Sequence, residues 1–204
     1  MDANPGGARL TSRAVVDLSH LTDEQLAADA AREGSDGPAF VALLGRHQER
    51  VFRLCYRLLG NADDAADAAQ EVCVRLFLQR ASFRGESKYT TWLHGITVRT
   101  CLSLRRGRGR RQRREAFVRD QSAEQPRADE SASTAELKLD LDKMLDALDE
   151  EDRAMLILKY AEGYDYEELA GMFRLGVSAC KMRISRAREK LQQLYPAQNF
   201  LTEE

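Results

Sequence analysis

Two groups of side chains have the residue types of nucleic-acid contacts rather than of a catalytic centre. The first group is basic and follows the stretch 178–190: Lys181, Arg183, Arg186, Arg188 and Lys190. The second lies in 83–106, where aromatic rings alternate with cations. Cations bind phosphates, and aromatic rings stack on unpaired bases. The sequence has no HExxH motif, glycine-rich phosphate loop or nucleophile elbow, so it does not predict a hydrolase or a metalloenzyme.

The first group is positioned by two short amphipathic segments within 164–191. Apolar residues recur at helical spacing in each segment: Tyr166, Leu169, Ala170 and Phe173, then Val177, Cys180, Ile184, Ala187 and Leu191. Arg174, Leu175 and Gly176 separate the two stripes, and Ser178 is a candidate N-cap. A short helix, a tight turn and a basic helix are the layout of a DNA-binding helix-turn-helix. The alternative is an ordinary helical hairpin with a solvated charged face.

The N-terminal half predicts three further helices. Thr22 and Gln25 have capping-box spacing before a short helix that reaches Arg32. A helix over 38–59 precedes Gly60, and Asn61 is placed to cap a helix over 62–80. That third helix has an alanine-rich face and an acidic–polar face, the latter formed by Asp64, Asp67, Gln70, Glu71 and Arg75. The acidic–polar face is either a docking surface or a solvated stripe.

The second group begins in a polar loop over 81–91 and continues into a helix that contains the sole tryptophan, Trp92. Trp92 is either a stacking surface or a core residue. Seven arginines follow between 105 and 114, while acidic residues crowd 140–152 and 162–168, so a net charge of −2 hides an uneven distribution. The arginine island binds phosphates or forms a solvated helix end.

Composition predicts an all-α protein of two small helical domains joined by a flexible linker. The chain has 204 residues, a 43% apolar share and only 4 prolines, with few strand-like alternations. A polar stretch around Pro126 marks the linker. The expected organisation is a mobile tail (1–19), an N-terminal domain (20–118), the linker (119–135), a C-terminal helix-turn-helix domain (136–196) and a frayed end (197–204).

The metal-ligating residue types form no recognisable set. Cys55, Cys73, Cys101 and Cys180 make no CxxC pair and are expected to be buried thiols, and the three histidines are scattered. We therefore expect neither a metal nor a cofactor. The sequence has no apolar run of membrane-spanning length and no signal peptide, so a cytoplasmic location is expected.

Together these segments resemble the bacterial RNA polymerase sigma factors of the extracytoplasmic-function (ECF) class, over about 21–114 and 137–194. ADDAADAAQEV (62–72) is similar to the family's Asp-x-x-Gln-Glu pattern, and FRGESKYTTWL (83–93) resembles its promoter-melting segment. The segment from LDALDEEDRAMLILKYAEGYDYEELA to KMRISRAREKL resembles its C-terminal DNA-reading domain.

The resemblance implies three binding surfaces. The core polymerase surface, facing the β′ clamp helices, would comprise Asp64, Asp67, Gln70, Glu71 and Arg75. The surface that recognises and melts the −10 element would comprise Phe83, Arg84, Lys88, Tyr89, Trp92, Arg99, Arg105 and Arg106. The surface that reads the −35 element would comprise Ser178, Ala179, Lys181, Met182, Arg183, Arg186 and Arg188. The implied partners are core RNA polymerase, including its β flap, promoter DNA and an anti-sigma factor.

Several positions depart from the family pattern. Arg174 stands where Gly is usual, and a positive φ there would be unfavourable for Arg. Leu148-Asp149 replaces a usual Leu-Pro, and Arg99 and Ser103 stand where Asn and Asp are common. A stand-alone helix-turn-helix regulator is the alternative, but it would require neither the acidic–polar face at 64–75 nor the aromatic–basic loop.

Overall fold

The computed structural model describes residues 17–33, 37–118 and 144–196, with only the backbone described for 108–118. These parts contain helices and no strands, which confirms the all-α prediction. The first four helices are α1 (Asp23–Ala30), α2 (Pro38–Leu59), α3 (Ala62–Gln79) and α4 (Tyr89–Val118), with a 3₁₀ turn at Arg80–Ser82. The last three are α5 (Glu150–Leu156, continued by a π-helical turn at Ile157–Ala161), α6 (Tyr166–Phe173) and α7 (Val177–Leu194). The predicted linker (119–135), most of the tail and the C-terminal end (197–204) lie outside the described residues.

Helix boundaries in the N-terminal half follow the capping residues that the sequence predicts. Thr22 and Gln25 form the expected capping box of α1. Gly60 ends α2 with a φ of 85°, and Asn61 caps α3 by accepting a hydrogen bond from the backbone N–H of Asp64 at 2.8 Å. The sequence therefore determines where α2 stops and α3 turns back against it.

The core of the N-terminal bundle (α1–α4) lies where α2, α3 and α4 meet. Leu54, Val72 and Leu93 are fully buried at the centre. Ala65 and Ala68 are also 0% exposed, as the alanine-rich face predicts, and their small side chains let α3 approach its neighbours closely. This packing turns the opposite face of α3 outward.

The C-terminal bundle (the helical turn at 144–146 and α5–α7) contains the predicted helix-turn-helix. Asp149 caps α5 by accepting hydrogen bonds from the backbone N–H groups of Glu151 and Asp152, so this helix begins at Glu150. Asp165 and Glu168 form a capping box on α6. The proposed cap at Ser178 is wrong, because α7 begins at Val177 with Gly176 as its N-cap.

No helix among the described residues is long and apolar enough to cross a membrane.

Candidate functional site

One face of α3 is exposed and mixes acidic, amide and apolar side chains. Its members lie three or four residues apart: Asp67, Gln70, Glu71, Val74, Arg75 and Leu78. Val74 and Leu78 are 53% and 70% exposed, and Arg75 Nε donates to Glu71 at 2.7 Å. We call this face the α3 stripe. Sequence analysis named its polar members but missed Val74 and Leu78, although the i, i+4, i+8 spacing from Gln70 leads directly to them.

Asp64 does not belong to the α3 stripe. It is 7% exposed, and its carboxylate accepts a hydrogen bond from the side-chain amide of Asn61. A carboxylate in the first turn of a helix is also favoured by the helix dipole. The prediction that Asp64 shares an exposed face with Asp67 is wrong, because Asp64 is a buried member of the α3 cap.

Three aromatic rings from the predicted −10 segment form one cluster. Phe83 lies 5.4 Å from Tyr89 and 5.5 Å from Trp92 between ring centroids, and Tyr89 lies 5.6 Å from Trp92. Tyr89 is 4% exposed, and burial raises the pKa of its hydroxyl. Phe83 and Trp92 are half-buried. Trp92 therefore contributes to packing and also keeps accessible ring surface, which combines the two interpretations left open by the sequence.

The cations predicted to face the −10 element divide into two sets. Arg84 and Lys88 are exposed in the loop before α4. Arg99, Arg105 and Arg106 lie further along α4 and make contacts with the C-terminal bundle, which sequence analysis did not foresee. Lys88 Nζ also lies 3.7 Å from the carboxylate of Glu168 in that bundle. The side chains of the arginine island from position 108 onward lie outside the described residues.

The N-terminal part of α7 presents the side chains predicted to read DNA. Ser178, Ala179, Lys181, Met182 and Arg186 are exposed, whereas Arg188 is half-buried and lies 5.8 Å from the ring centroid of Tyr160. The opposite face is buried at Cys180, Ile184, Ala187 and Leu191, as the apolar spacing predicts. Val177 was expected on that face but is 38% exposed. The helix thus packs one stripe inward and leaves a polar, cationic surface outward, a geometry suited to the major groove.

Arg183 differs from the other cations of α7, because carboxylates of α5 hold its guanidinium. It donates from Nη1 to Glu151 at 2.7 Å and from Nη2 to Asp149 at 3.2 Å, and its Nε donates to Asp152. Burial lowers the pKa of Arg183, but these hydrogen bonds outweigh burial and raise it. Arg183 therefore fixes α7 against the N-terminus of α5. The acidic partners lie more than thirty positions away in sequence, so the spacing on α7 could not reveal them.

The described parts of the chain contain no group of three or more His, Cys, Asp or Glu side chains arranged to hold a metal ion. All four cysteines are free thiols; Cys55, Cys101 and Cys180 are buried and Cys73 is half-buried. A hydrogen bond with Cys55, together with burial, raises the pKa of Cys101. The raised pKa keeps the Cys101 thiol protonated at neutral pH, so it is a poor nucleophile.

Family models match both halves of the chain. The Sigma-70 region 2 model matches residues 43–111, and the Sigma-70, region 4 model matches residues 138–191. The ECF RNA polymerase sigma factor SigE of Mycolicibacterium smegmatis is 35% identical over 167 residues, which cover 80% of this chain and 64% of SigE. The RNA polymerase sigma-H factor of Pseudomonas aeruginosa is 29% identical over 86% of this chain and 95% of its own length.

Two solved structures share the fold. CnrH, in complex with the cytosolic domain of CnrY, aligns with a TM-score of 0.62 and 25% identity over 87% of this chain and 99% of that chain. RpoE from Bartonella quintana, in complex with the anti-sigma factor NepR, aligns with a TM-score of 0.59 and 28% identity over 78% of this chain and 98% of that chain.

The two helical bundles, with an outward helix-turn-helix and an aromatic–cationic segment, define a DNA-binding protein that contacts its target through separate modules. Both modules match regions of one family. The chain belongs to the sigma-70 family of RNA polymerase sigma factors, and within it to the extracytoplasmic-function class. Proteins of this family direct promoter-specific transcription initiation and are non-enzymatic factors.

Proposed function

We propose that this chain docks on core RNA polymerase through the α3 stripe, melts the −10 element with the segment 83–106 and reads the −35 element with α7. The observation that carries the proposal is the α3 stripe itself, since a DNA-binding protein that acts alone needs no such surface. It lies within the region 2 match and exposes two large aliphatic side chains beside an ion pair. An apolar patch with a polar rim is the usual composition of a protein interface.

The three surfaces would act as one unit. Unpairing bases costs a few kcal/mol per step, which Trp92 and Phe83 would offset by stacking on bases of the open strand. Arg84 and Lys88 would hold the adjacent phosphates. Tethering the two DNA-reading domains would raise the effective concentration of the second contact once the first has formed. In this proposal the domains span 20–118 and 136–196.

The remaining parts of the proposal concern partners and location. The protein acts as a dissociable, non-enzymatic subunit in the cytoplasm, where it meets core polymerase and its β flap. An anti-sigma partner is part of the proposal, because the similar RpoE from Bartonella quintana was solved with the anti-sigma factor NepR.

The test is co-elution of the full chain with bacterial core RNA polymerase, followed by transcription from a promoter library. The double charge reversal Asp67→Lys with Glu71→Lys should abolish co-elution while far-UV circular dichroism stays unchanged. The matched control is Asp29→Lys with Glu49→Lys, which alters the same number of charges. Each control carboxylate is at least 43% exposed and pairs only locally in the chain, with Arg32 or Arg53.

The outcomes separate the candidates. Loss of co-elution in the α3 variant alone supports the docking assignment. Unchanged co-elution in both variants would overturn it. Tight duplex binding by the isolated chain, without any association with core polymerase, would instead indicate a stand-alone helix-turn-helix regulator.

A further inference from the structure

The turn between α6 and α7 contains an arginine, Arg174, in a backbone conformation that suits glycine. Its φ and ψ lie in the left-handed region, where a Cβ is sterically unfavourable. The turn is held by backbone hydrogen bonds, from the N–H of Arg174 to the Gly171 carbonyl and from the N–H of Leu175 to the Ala170 carbonyl. Both bonds involve only backbone atoms, so the turn would form equally well with Gly at position 174.

The side chain of Arg174 does not offset this strain within the protein. Arg174 is exposed, and its guanidinium makes no hydrogen bond or ion pair with any residue that the structure describes. As the C-cap of α6 it stands where a helix dipole favours a cation, but α6 has only 8 residues and the effect on an exposed cation is small and screened by salt. The described contacts therefore give no reason for an arginine at this position.

A second cation lies close to Arg174 and belongs to the N-terminal bundle. Arg99 of α4 donates from Nη1 to the carbonyl of Met172, two residues before Arg174, at 3.2 Å. Burial lowers the pKa of Arg99, and the positive charges of Arg174 and Arg75 lower it further. Like charges disfavour each other's ionised form, so Arg174 is electrostatically unfavourable here. An anion beside Arg174 would relieve this repulsion.

The position of Arg174 relative to α7 indicates which anion it meets. Only two residues separate it from the start of α7 at Val177, so the two Cα atoms are at most about 11 Å apart. The surface predicted to read DNA starts one residue further on, at Ser178. The N-terminal end of a recognition helix enters the major groove, which the two phosphate backbones border. A cation just outside this end of α7 is therefore placed beside a phosphate.

The chemistry of the guanidinium favours the same anion. An arginine presents its N–H donors in a planar fork that matches two oxygens of a phosphate. Arg183 of α7 gives its donors to three carboxylates of α5. The Arg174 side chain has no such acceptor among the described residues, so its donors are available to a ligand.

We propose that Arg174 binds a backbone phosphate at the edge of the −35 element, and that this contact offsets the strain in the turn. The proposal rests on the assignment of α7 as the reader of that element and adds a contact outside the surface 178–188. Backbone strain persists where the surrounding structure fixes the conformation, and it is concentrated at binding and catalytic sites. Arg174 would therefore lower the stability of the free protein and raise the affinity of the holoenzyme for promoter DNA.

The test measures, at several salt concentrations, the binding of holoenzyme to a duplex that carries the −35 element of a promoter it uses. Arg174→Gly and Arg174→Ala both remove the guanidinium, but only Gly also relieves the backbone. Both should weaken binding about tenfold, because a charged hydrogen bond is lost. Both should also reduce the slope of log affinity against log salt by about one. Arg174→Lys keeps the charge and should retain the slope.

Two controls accompany these variants. Arg32→Ala also removes one positive charge; Arg32 is 75% exposed and pairs locally with Asp29, so affinity and slope should not change. The second control is a duplex in which one base pair of the −35 element is replaced. Because a phosphate contact carries no sequence information, Arg174→Ala should lower the affinity for both duplexes by the same factor.

Three results would contradict the proposal. An unchanged slope in both Arg174→Gly and Arg174→Ala would overturn the phosphate contact. Weakening by Arg174→Ala without weakening by Arg174→Gly would assign the effect to the backbone of the turn. A loss of affinity that differs between the two duplexes would assign Arg174 to base readout instead.

Lys181→Ala, measured on the same duplexes, separates this proposal from the proposed function. If Lys181→Ala and the base-pair replacement weaken binding but the Arg174 variants do not, only the Arg174 contact fails. If binding depends on neither Lys181 nor the −35 sequence, the assignment of α7 fails, and the Arg174 contact fails with it.

Discussion

Arg174 takes a left-handed backbone conformation in the turn between α6 and α7, with φ 56° and ψ 44°. It is the sole non-glycine residue with a positive φ in the part of the chain that the structure describes. The resemblance to the family predicts Gly at this position, and a positive φ is unfavourable for Arg because of its Cβ. The turn is closed by a hydrogen bond from the N–H of Leu175 to the carbonyl of Ala170 at 2.9 Å. The left-handed conformation is thus kept although residue 174 has a Cβ, and the backbone is strained at Arg174.

Replacing Arg174 should therefore raise stability only if the new residue lacks a Cβ. Arg174→Gly should increase the free energy of unfolding by about 1 kcal/mol, because Gly enters the left-handed region without steric cost. Arg174→Ala is the matched control, since it removes the charge and keeps the Cβ. Urea unfolding of both variants checks this, and an equal gain in both would assign the effect to charge rather than to backbone strain.

Arg183 and Lys181 stand two residues apart on α7, yet their surroundings predict opposite phenotypes. Arg183→Ala should lower the free energy of unfolding by about 2 kcal/mol, because it leaves several α5 carboxylates without their donor. Lys181→Ala should change stability by less than about 0.5 kcal/mol, since Lys181 is exposed. Thermal unfolding and the salt dependence of holoenzyme binding to −35 duplex DNA measure the two effects.

The salt dependence of DNA binding distinguishes a residue that contacts phosphate from one that only stabilises the fold. Lys181→Ala should reduce the slope of log affinity against log salt by about one, as expected for one lost phosphate contact. Arg183→Ala should leave that slope unchanged at temperatures where the variant is folded. A reduced slope for Arg183→Ala would show that its ion pairs open and that it contacts DNA directly.

At the scale of the element, the α3 stripe contains two exposed apolar side chains, Val74 and Leu78, whose contribution to polymerase binding can be measured separately from that of the charged residues. Val74→Ser with Leu78→Ser should weaken binding to core polymerase about tenfold, because the interface would lose roughly 1–2 kcal/mol of apolar burial. Both side chains are more than half exposed, so the fold should be unaffected. Affinity for core polymerase, measured by fluorescence anisotropy, checks this.

The control for this pair lies on another helix. Val41 of α2 is 56% exposed, about as much as Val74, and Val41→Ser should leave affinity for core polymerase unchanged. Equal weakening by Val41→Ser would indicate a general loss of apolar surface rather than a specific contact on α3.

The elements also show which features the sequence could predict. Periodicity and capping residues located α2, α3 and the helix-turn-helix, because these signals depend on residues within one or two turns of each other. The buried state of Asp64 could have been suspected, since Asn61 stands three residues before it. The π-helical turn at Ile157–Ala161 has no such local signal.

The contacts of Arg99 and Arg183 could not be predicted, for a different reason. Their partners lie 73 positions away, at Met172, and 31 to 34 positions away, in α5. A basic helix has the same sequence pattern whether its cations face DNA or a carboxylate of the same chain. Only the packing of the helices decides which of these two partners a cation meets. The sequence therefore predicts which residues form the binding surfaces, but not which of their cations are paired within the chain.

At the scale of the whole molecule, a buried histidine joins the two bundles. His94 of α4 is 0% exposed, its Nδ1 pairs with the Tyr164 hydroxyl, and its buried Nε2 has no hydrogen-bond partner among the described residues. Burial, together with the charge of Arg50 and the neighbouring His47, lowers the pKa of His94 to about 4 from 6.5. Burial also raises the pKa of Tyr164 to about 12, so the hydroxyl remains protonated at neutral pH.

Because the folded protein favours neutral His94, the stabilisation that this residue gives is complete above pH 6.5 and is lost as the pH falls towards 4. Between about pH 7 and pH 5 the free energy of unfolding should fall by about 2 kcal/mol through this residue alone. His94→Gln keeps a polar partner for Tyr164 and does not titrate, so the variant should lose correspondingly less over the same interval. Urea unfolding at several pH values measures both slopes. Identical slopes would mean that His94 reaches water in the free protein, which would contradict its burial beneath Tyr164 of the C-terminal bundle.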